Sequence, residues 1–250
     1  MPPIEAALAE CANWDIFDAN VYVGHSGTNG ALALEAPGLL HEMDRFGIKR
    51  ALVSHFVSYD YDAVEGNRAL DRDAHQRFVP AWSASPDPSS FADLKLRAPR
   101  AVRLWFGASH HNFSSALWCA GELLEYLQEN RVLTVFSRQE IEWDAIATLL
   151  ENFPRLNVLL LDIGYRSDRY LFPLIAKFQN LYFDSSTYLA HRQLEWYLQK
   201  FGPDRMVFGS RLPLYTPAAA LVVLGTARVP DSCRLSVAGG NLRRLIGERA

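Results

Sequence analysis

The sequence predicts a closed (β/α)8 barrel that forms one domain over residues 1–250. Short apolar runs alternate with amphipathic helical stretches along the chain, which is typical of parallel α/β folds. A length of 250 residues, 49% of them hydrophobic, is usual for one such barrel. The alternative is an open doubly wound sheet. The loop after the first strand, residues 24–27, lacks the glycine spacing of a phosphate-binding turn, so the barrel is favoured.

Eight strand-like runs, rich in Val, Ile, Leu and Phe, follow one another along the chain. They cover residues 16–23, 50–56, 77–83, 101–106, 132–137, 157–163, 181–186 and 206–210. Residues 158–161 are apolar without interruption. Such a run is expected of a parallel strand that is buried on both faces.

Four of the intervening stretches carry apolar residues at spacings of three and four, which form one face of a helix. They cover residues 37–46, 115–130, 141–153 and 192–201. Gly47, Pro154 and Gly202 supply stop signals directly after three of them. His41, His75 and His191 also fall in predicted helices and are not expected to have a chemical role.

Composition excludes several classes of protein. The formal charge of −3 argues against a nucleic-acid binder, which needs a basic surface. The sequence contains no run of about 18 apolar residues, so no membrane span is predicted, and the N-terminus does not resemble a signal peptide. The three cysteines, Cys11, Cys119 and Cys233, are scattered and odd in number. They predict a reducing, cytoplasmic location instead of a disulfide framework.

The carboxyl ends of the strands are where active sites of such barrels form. Polar residues end or follow most of the predicted strands: Asn20, Tyr22, His25, His55, Arg103, Ser137, Arg138, Asp162, Asp184, Ser185, Ser186, Ser210 and Arg211. The search for functional side chains therefore begins with these residues.

Several fragments carry a resemblance to a known family. Residues 17–24 occupy the place of an Asp-x-His-x-His-x-Gly motif, and the other matching fragments are residues 47–54, 77–80, 153–164, 201–210 and 240–245. In this order the chain resembles the amidohydrolase-related family of metal-dependent TIM-barrel hydrolases and decarboxylases. The resemblance implies a TIM barrel of hydrolytic ancestry with a divalent metal at the carboxyl ends of its strands.

The positions that would hold that metal have all changed. By alignment with the family, histidines are replaced by Asn20, Tyr22, Phe136 and Asp162, and an aspartate is replaced by Arg211. A catalytic zinc needs about three nitrogen or oxygen ligands, and a permanently charged guanidinium repels a dication. The sequence therefore predicts no metal and no other cofactor at this place.

Arginine side chains are expected to replace the metal. We expect Arg211 and Asp162 to form an ion pair in the vacated centre, either as part of a working site or as a purely structural contact. Arg103 and Arg138 are expected to face the same mouth. Three guanidinium groups would bind a small anionic molecule, since arginine grips carboxylate and phosphate. Alternatively, Arg103 or Arg138 points outward or pairs with Asp184.

The candidate proton-transfer groups are Asp162, Asp184 and His25, which carry titratable side chains at strand ends. Asp18 is expected to be structural. His55, His110 or His111 could alternatively act as a general acid or base, and His25 with His110 or His111 could form a relocated metal site. The candidate substrate-binding residues, besides the three arginines, are Asn20, Tyr22, Trp105 and Phe136, and Phe106 and Tyr188 are expected to add to an aromatic mouth.

Two functions from different classes remain open. The first is a metal-independent hydrolase of an anionic lactone, ester or amide, in which arginine stabilises a developing oxyanion. The second is a catalytically inactive relative that binds a small anion or acts as a structural or regulatory subunit. A homodimer is expected if the aromatic residues Trp118, Trp143, Trp196 and Tyr197 are exposed.

Overall fold

The computed structural model describes residues 4–248. The strands are β1 Ile16–His25, β2 Ala33–Leu34, β3 Ile48–His55, β4 Phe78–Pro80, β5 Trp82–Ser83, β6 Ala101–Arg103, β7 Leu133–Ser137, β8 Val158–Leu161, β9 Leu181–Asp184 and β10 Met206–Val207. The helices are α1 Ile4–Cys11, α2 Ala36–Arg45, α3 Phe56–Asp60, α4 Ala63–Arg72, α5 Pro88–Arg97, α6 Leu117–Glu129, α7 Trp143–Asn152, α8 Asp168–Lys177, α9 Gln193–Phe201, α10 Pro217–Thr226, α11 Asp231–Leu235 and α12 Asn241–Leu245. A 3-10 turn covers Arg138–Glu140.

The strands form a closed parallel barrel. They pair in the orders β2-β1-β3-β4 and β10-β9-β8-β7-β6-β5, with β2 as an antiparallel appendage. β4 and β5 are separated by Ala81, whose N–H donates to Val53 O at 2.9 Å, so the two form one barrel strand. The barrel closes where Tyr22 N donates to Leu212 O at 2.8 Å, which links β1 to the segment after β10. The predicted fold class is confirmed.

The core has two layers, because successive side chains of a strand point to opposite faces. Leu133 and Val135 of β7 belong to the cluster inside the barrel, whereas Phe136 belongs to the cluster between strands and helices. Leu242 and Leu245 of α12 pack into the inner cluster with Phe17. This packing fills the amino-terminal end of the barrel and leaves polar side chains to the carboxyl end.

A bulge interrupts the pairing of β1 with β3 between Asp18 and Val21. The Asp18 carboxylate is fully buried there, and its Oδ1 accepts N–H groups from Asn20 at 3.0 Å and Ser210 at 2.9 Å. Burial raises the pKa of Asp18 from 3.8 to about 7. Asp18 thus fastens β1 to the last strand segment, which is the structural role expected from the sequence.

The predicted helices 37–46, 115–130, 141–153 and 192–201 correspond to α2, α6, α7 and α9 within two residues at each end. Cys119 lies on α6, and His41 lies on α2. The prediction for His75 and His191 was wrong, because His75 lies in the loop between α4 and β4 and His191 lies in the turn before α9. Within residues 4–248, no helix has the length and apolar character that crossing a membrane requires.

The four aromatic residues whose exposure would favour a homodimer divide into two groups. Trp118 is 83% exposed and Trp196 59% exposed. Tyr197 is fully buried against Phe183, and Trp143 packs partly buried against Tyr170. Of these four residues, Trp118 and Trp196 are therefore the ones that could contribute to a dimer contact.

Candidate active site

An ion pair occupies the carboxyl end of the barrel axis. Arg211 Nε lies 3.2 Å from Asp162 Oδ1, as the sequence led us to expect, and the Asp162 side chain is only 1% exposed. Both residues have left-handed backbone conformations, with φ of 62° for Arg211 and 56° for Asp162. A left-handed residue other than glycine costs about 1 kcal/mol or more. Surrounding contacts must therefore hold the two residues in this arrangement.

Those contacts are hydrogen bonds to the Asp162 carboxylate. Its Oδ1 accepts from Asn20 Nδ2 at 3.1 Å and from Ser186 Oγ at 3.4 Å. Its Oδ2 accepts from Ser137 Oγ at 3.0 Å. Both oxygens are thus engaged by protein donors, which fixes the carboxylate in place and leaves it poorly suited to accept a proton from a substrate.

Asp184 lies beneath this carboxylate. Its Oδ1 accepts the Asp162 N–H at 3.0 Å, and its Oδ2 accepts from Asn20 Nδ2 at 3.1 Å. Complete burial, together with the neighbouring charge of Asp162, raises the pKa of Asp184 from 3.8 to about 6. Asp184 does not line the cavity described below, so it positions Asp162 and Asn20 and is not placed to reach a substrate.

The residues at this centre do not fit a divalent metal ion. Asn20, Tyr22, Ser137 and Asp162 offer one carboxylate and no imidazole, and the Arg211 cation lies against that carboxylate. A catalytic zinc site needs about three good ligands. Across residues 4–248, no cluster of three or more His, Cys, Asp or Glu side chains could hold a metal, so the alternative of a relocated site at His25, His110 or His111 has no geometric support.

A cavity of about 470 Å³ opens beside the ion pair. Its lining comes from the loops and strand ends at the carboxyl face: Tyr22, Tyr59, Arg103, Gly107, Ala108, Ser109, His110, Ser137, Gln139, Glu140, Asp162 and Arg211. This volume lies within the range of small-molecule sites. The predicted residues Tyr22, Arg103, Asp162 and Arg211 are thus brought together in one cavity.

Arg103 is buried in the wall of the cavity. Its guanidinium lies 4.3 Å from the ring centre of Trp105, its Nη2 donates to Tyr22 Oη at 3.3 Å, and Glu140 Oε1 is 3.7 Å away. Because Tyr22 Oη accepts from Arg103, its own O–H is available for another partner. Burial raises the pKa of Tyr22, which keeps the phenol a neutral hydrogen-bond donor.

Arg211 retains donor capacity toward the cavity. Its Nη1 donates to Tyr215 Oη at 3.3 Å and its Nη2 to Gln139 Oε1 at 3.4 Å, both long contacts to neutral oxygens. A guanidinium has five N–H groups, so two Nη hydrogens have no partner among the described residues. The buried Nε–H of Arg211 is close to Asp162 but is not directed at it, and Arg103 Nε also lacks an acceptor.

The proton position on His110 can be inferred from its partner. His110 Nδ1 lies 2.8 Å from Tyr59 O, and a carbonyl oxygen can only accept. Nδ1 therefore carries the hydrogen, and Nε2 of the neutral ring has a free lone pair. The ring centre of His110 is 4.2 Å from that of Tyr59, with the two planes tilted by 52°, and His110 lines the cavity. This side chain has the geometry of an oriented general base.

Glu140 was not found from the sequence. It lies on the 3-10 turn after β7, and its Oε2 accepts the Gly107 N–H at 3.3 Å. Burial raises the pKa of Glu140, whereas the charges of Arg103 and His110 lower it. The available signal was the place of Arg103 at the end of a predicted strand, because a guanidinium that is buried there needs a carboxylate nearby.

Two charged residues predicted for the site lie outside the cavity, and for Arg138 the alternative that it points outward holds. Arg138 lies 5.3 Å from the ring centre of Trp143, and its Nη1 donates to Ile141 O at 3.1 Å, so it faces away from the cavity. His25 lies outside the cavity, exposed, with its Nε2 3.2 Å from Glu35 Oε1. Both residues lie at the carboxyl face of the barrel, but their side chains point away from the cavity.

Most of the predicted aromatic mouth was also wrong. Phe136 points into the outer layer and packs edge-on against Phe106, because Ser137 is the β7 residue that faces the barrel interior. Trp105 is fully buried, and its Nε1 donates to Ser83 Oγ at 3.0 Å. Tyr188 is buried in the outer layer against Phe183. The aromatic lining comes from Tyr22 and Tyr59 instead.

No family model matches the chain. No curated protein matches it in sequence. Solved structures do share its fold. A TIM-barrel protein of unknown function from Bordetella bronchiseptica superposes with a TM-score of 0.71 at 18% identity, over 93% of this chain and 98% of that one. The 5-carboxyvanillate decarboxylase of Sphingomonas paucimobilis gives a TM-score of 0.72 at 14% identity, over 95% and 100% of the two chains.

A candidate amidohydrolase from Staphylococcus aureus gives a TM-score of 0.71 at 12% identity, over 93% of this chain and 100% of that one. At such identities the likeness establishes the fold and leaves the chemistry open. The structural neighbours of this chain are thus decarboxylases and amidohydrolase-like TIM barrels, and the resemblance seen in the sequence is confirmed at the level of the fold.

Proposed function

We propose that this barrel is a metal-independent hydrolase of the amidohydrolase-related group, and that it cleaves an ester, lactone or amide bond in a small anionic substrate. The observation that carries the proposal is the presence of Arg211 and His110 in one cavity of about 470 Å³. Arg211 supplies unpartnered N–H groups for an anion, and His110 supplies a free imidazole lone pair.

Arg211 is the anion anchor. Asp162 holds the Nε side of the guanidinium, which leaves the Nη edge to a ligand. A carboxylate on that edge would replace two long hydrogen bonds to neutral oxygens by charge-assisted ones, which are roughly twice as strong. Arg103 is less suited, because it is deeply buried beside Glu140 and Tyr22.

His110 is the general base. Its Nε2 takes a proton from a water molecule, whose oxygen bonds to the substrate carbonyl carbon. The bond from that carbon to the leaving oxygen or nitrogen breaks, and the imidazolium returns the proton to the leaving group. Glu140 stabilises the imidazolium, and the free O–H of Tyr22 with Arg103 stabilises the developing oxyanion.

The second candidate is a binding protein without catalysis. It is favoured by the engagement of both Asp162 oxygens and both Asp184 oxygens with protein donors, and by the position of His25, the third expected proton-transfer group, outside the cavity. Chemistry would then depend on His110 alone. In this alternative the Arg211 edge still binds a small anion.

Ester hydrolysis in the presence of EDTA tests the proposal. We expect mono-p-nitrophenyl succinate, which carries a carboxylate, to be hydrolysed faster than neutral p-nitrophenyl acetate. Arg211→Gln should remove this preference, and His110→Gln should lower the rate about 100-fold or more for both esters. The matched controls are Arg138→Gln and His25→Gln, whose side chains lie outside the cavity.

Each result has a defined meaning. Rates in Arg211→Gln and His110→Gln equal to those of the controls would refute the hydrolase. If the protein hydrolyses neither ester but binds succinate in isothermal titration calorimetry, and if Arg211→Gln loses this binding, the protein is the binding protein of the second candidate. Absent turnover and absent binding would refute both candidates.

A further inference from the structure

A second cavity lies on the other side of the ion pair. It has a volume of about 480 Å³ and is lined by Tyr165, Ser186, Thr187, Leu189, Ala190, Ser210, Tyr215, Thr216 and Ala219. These residues come from the segments after β8, β9 and β10 and from the first turn of α10. We call it the apolar chamber. It is separate from the cavity that holds His110 and shares no lining residue with it.

Two contacts join the apolar chamber to the candidate site. Tyr215 of the chamber accepts from Arg211 Nη1 at 3.3 Å, and its ring centre is 5.2 Å from the guanidinium carbon. Ser186 of the chamber donates to Asp162 Oδ1 at 3.4 Å. The chamber therefore begins directly behind the Arg211–Asp162 pair, where the edge of the anion anchor is within reach.

The chemistry of the chamber differs from that of the first cavity. No charged side chain lines it, whereas Arg103, Glu140, Asp162 and Arg211 line the first. Tyr165, Leu189 and Tyr215 are 58%, 39% and 50% exposed at its edge. Exposed apolar side chains that surround one concavity mark a place where an apolar group is covered.

We propose that the apolar chamber receives an uncharged alkyl or acyl chain of the substrate whose anionic group binds Arg211. This inference rests on the proposed function, because it takes Arg211 as the anion anchor. It restricts the substrate class to amphipathic anions with an apolar tail of several carbons. A larger macromolecular partner is not needed, because a cavity of this volume matches part of a small molecule.

A series of straight-chain carboxylates tests the inference, with affinities measured by titration calorimetry. Each buried methylene contributes about 0.8 kcal/mol, so we expect affinity to rise about fourfold per carbon from acetate through butanoate to hexanoate. In Ala219→Trp, whose exposed alanine lies on α10 and lines the chamber, this rise should disappear while acetate binding is kept. Ala218→Trp, at the neighbouring position that does not line the chamber, is the matched control.

The failure of this inference can be told apart from the failure of the proposed function. A chain-length dependence that persists in Ala219→Trp, or that is absent from the unmodified protein, would overturn the chamber while Arg211 remains the anchor. Equal binding of acetate by Arg211→Gln and the unmodified protein would overturn the anchor. A thermal melt of each variant confirms that it is folded before its affinities are compared.

Discussion

The Arg211–Asp162 pair makes a quantitative prediction about stability. At a separation of 3.2 Å, the attraction is about 5 kcal/mol if the effective dielectric constant is about 20. Removing both charges from water offsets much of this attraction. The pair is unequal, because the Asp162 side chain is 1% exposed and that of Arg211 12% exposed. The carboxylate therefore depends on its partner more than the guanidinium does.

We expect Arg211→Met to lower the free energy of unfolding by about 3 kcal/mol, because it leaves a buried charge without a cation. Asp162→Asn should cost about 1 to 2 kcal/mol, since the amide oxygen still accepts from Asn20, the amide nitrogen can donate to Ser137 Oγ, and Arg211 can turn toward solvent. The double variant should cost less than the sum of the two single variants by about 2 kcal/mol.

Urea unfolding at pH 7 measures the cycle. Arg138→Met serves as the control, because Arg138 packs on Trp143 outside the cavity, and it should cost less than about 1 kcal/mol. Additivity of the two single variants within about 0.5 kcal/mol would show that the residues are not energetically coupled. The proximity of the two side chains would then have no role in holding the site.

Three further predictions follow from neighbouring contacts. The folded state keeps the proton of Asp18 up to about pH 7 against 3.8 for an ordinary carboxyl, so unfolding free energy should fall by up to about 4 kcal/mol as pH rises from 4 to 7. Asp18→Asn should flatten this dependence in urea titrations, and an unchanged slope would contradict it. A Cβ at Gly209 would lie 2.3 Å from Asp184 Oδ2, so Gly209→Ala should lower the free energy of unfolding by more than about 2 kcal/mol. Gly30→Ala is the control, because a Cβ there meets open space, and it should lower it by less than about 1 kcal/mol. Equal melting temperatures of the two variants would contradict this prediction. A Cβ at Gly107 would lie 3.0 Å from His110 Cδ2 and would displace the imidazole, so Gly107→Ala should lower kcat for ester hydrolysis while the protein remains folded. An unchanged kcat would count against His110 as the base.

The barrel could be predicted from the sequence because its strands are buried on both faces. Burial on both sides selects the apolar run of β8 and those of its neighbours, and the intervening helices carry one apolar face. Most of the strands are shorter than the apolar runs that predicted them, whereas β1 and β3 are longer. The run at residues 101–106, for example, contains a ladder only over Ala101–Arg103, because the chain then turns toward the loop that carries His110.

The site could be predicted only where a side chain's direction follows from its strand. Arg211, Asp162 and Tyr22 line the cavity at the barrel mouth as expected. Asn20, which was predicted to bind substrate, is buried and bonds Asp162 without lining the cavity. Phe136 was misplaced by one residue, and a shift of one residue on a strand exchanges the two faces. Ser137, which bonds Asp162, was therefore overlooked as the inward residue.

Loop residues lay beyond the reach of the sequence. The sequence could not distinguish His110 from the other loop histidines, because the position of its proton follows from the contact with Tyr59 O. Tyr59 lies on the short helix α3, which the apolar pattern did not predict. Glu140 and Gln139 lie on a 3-10 turn of three residues, too short for a periodic signal. Conversely, Arg138 on the 3-10 turn after β7 is free of the strand's alternation, and His25, the last residue of β1, pairs with Ala33 of β2; neither side chain lines the cavity.

The measurement that tests the central claim most directly is metal content. The purified protein is incubated with zinc and manganese, freed of unbound ions, and examined by elemental analysis. We expect near-zero metal, because Arg211 lies against Asp162, both oxygens of the neighbouring Asp184 accept hydrogen bonds from Asn20 and the Asp162 N–H, and no imidazole is present there. About one equivalent per chain, lost in Asp162→Ala and kept in the control His25→Gln, would contradict the replacement of a metal centre by an ion pair.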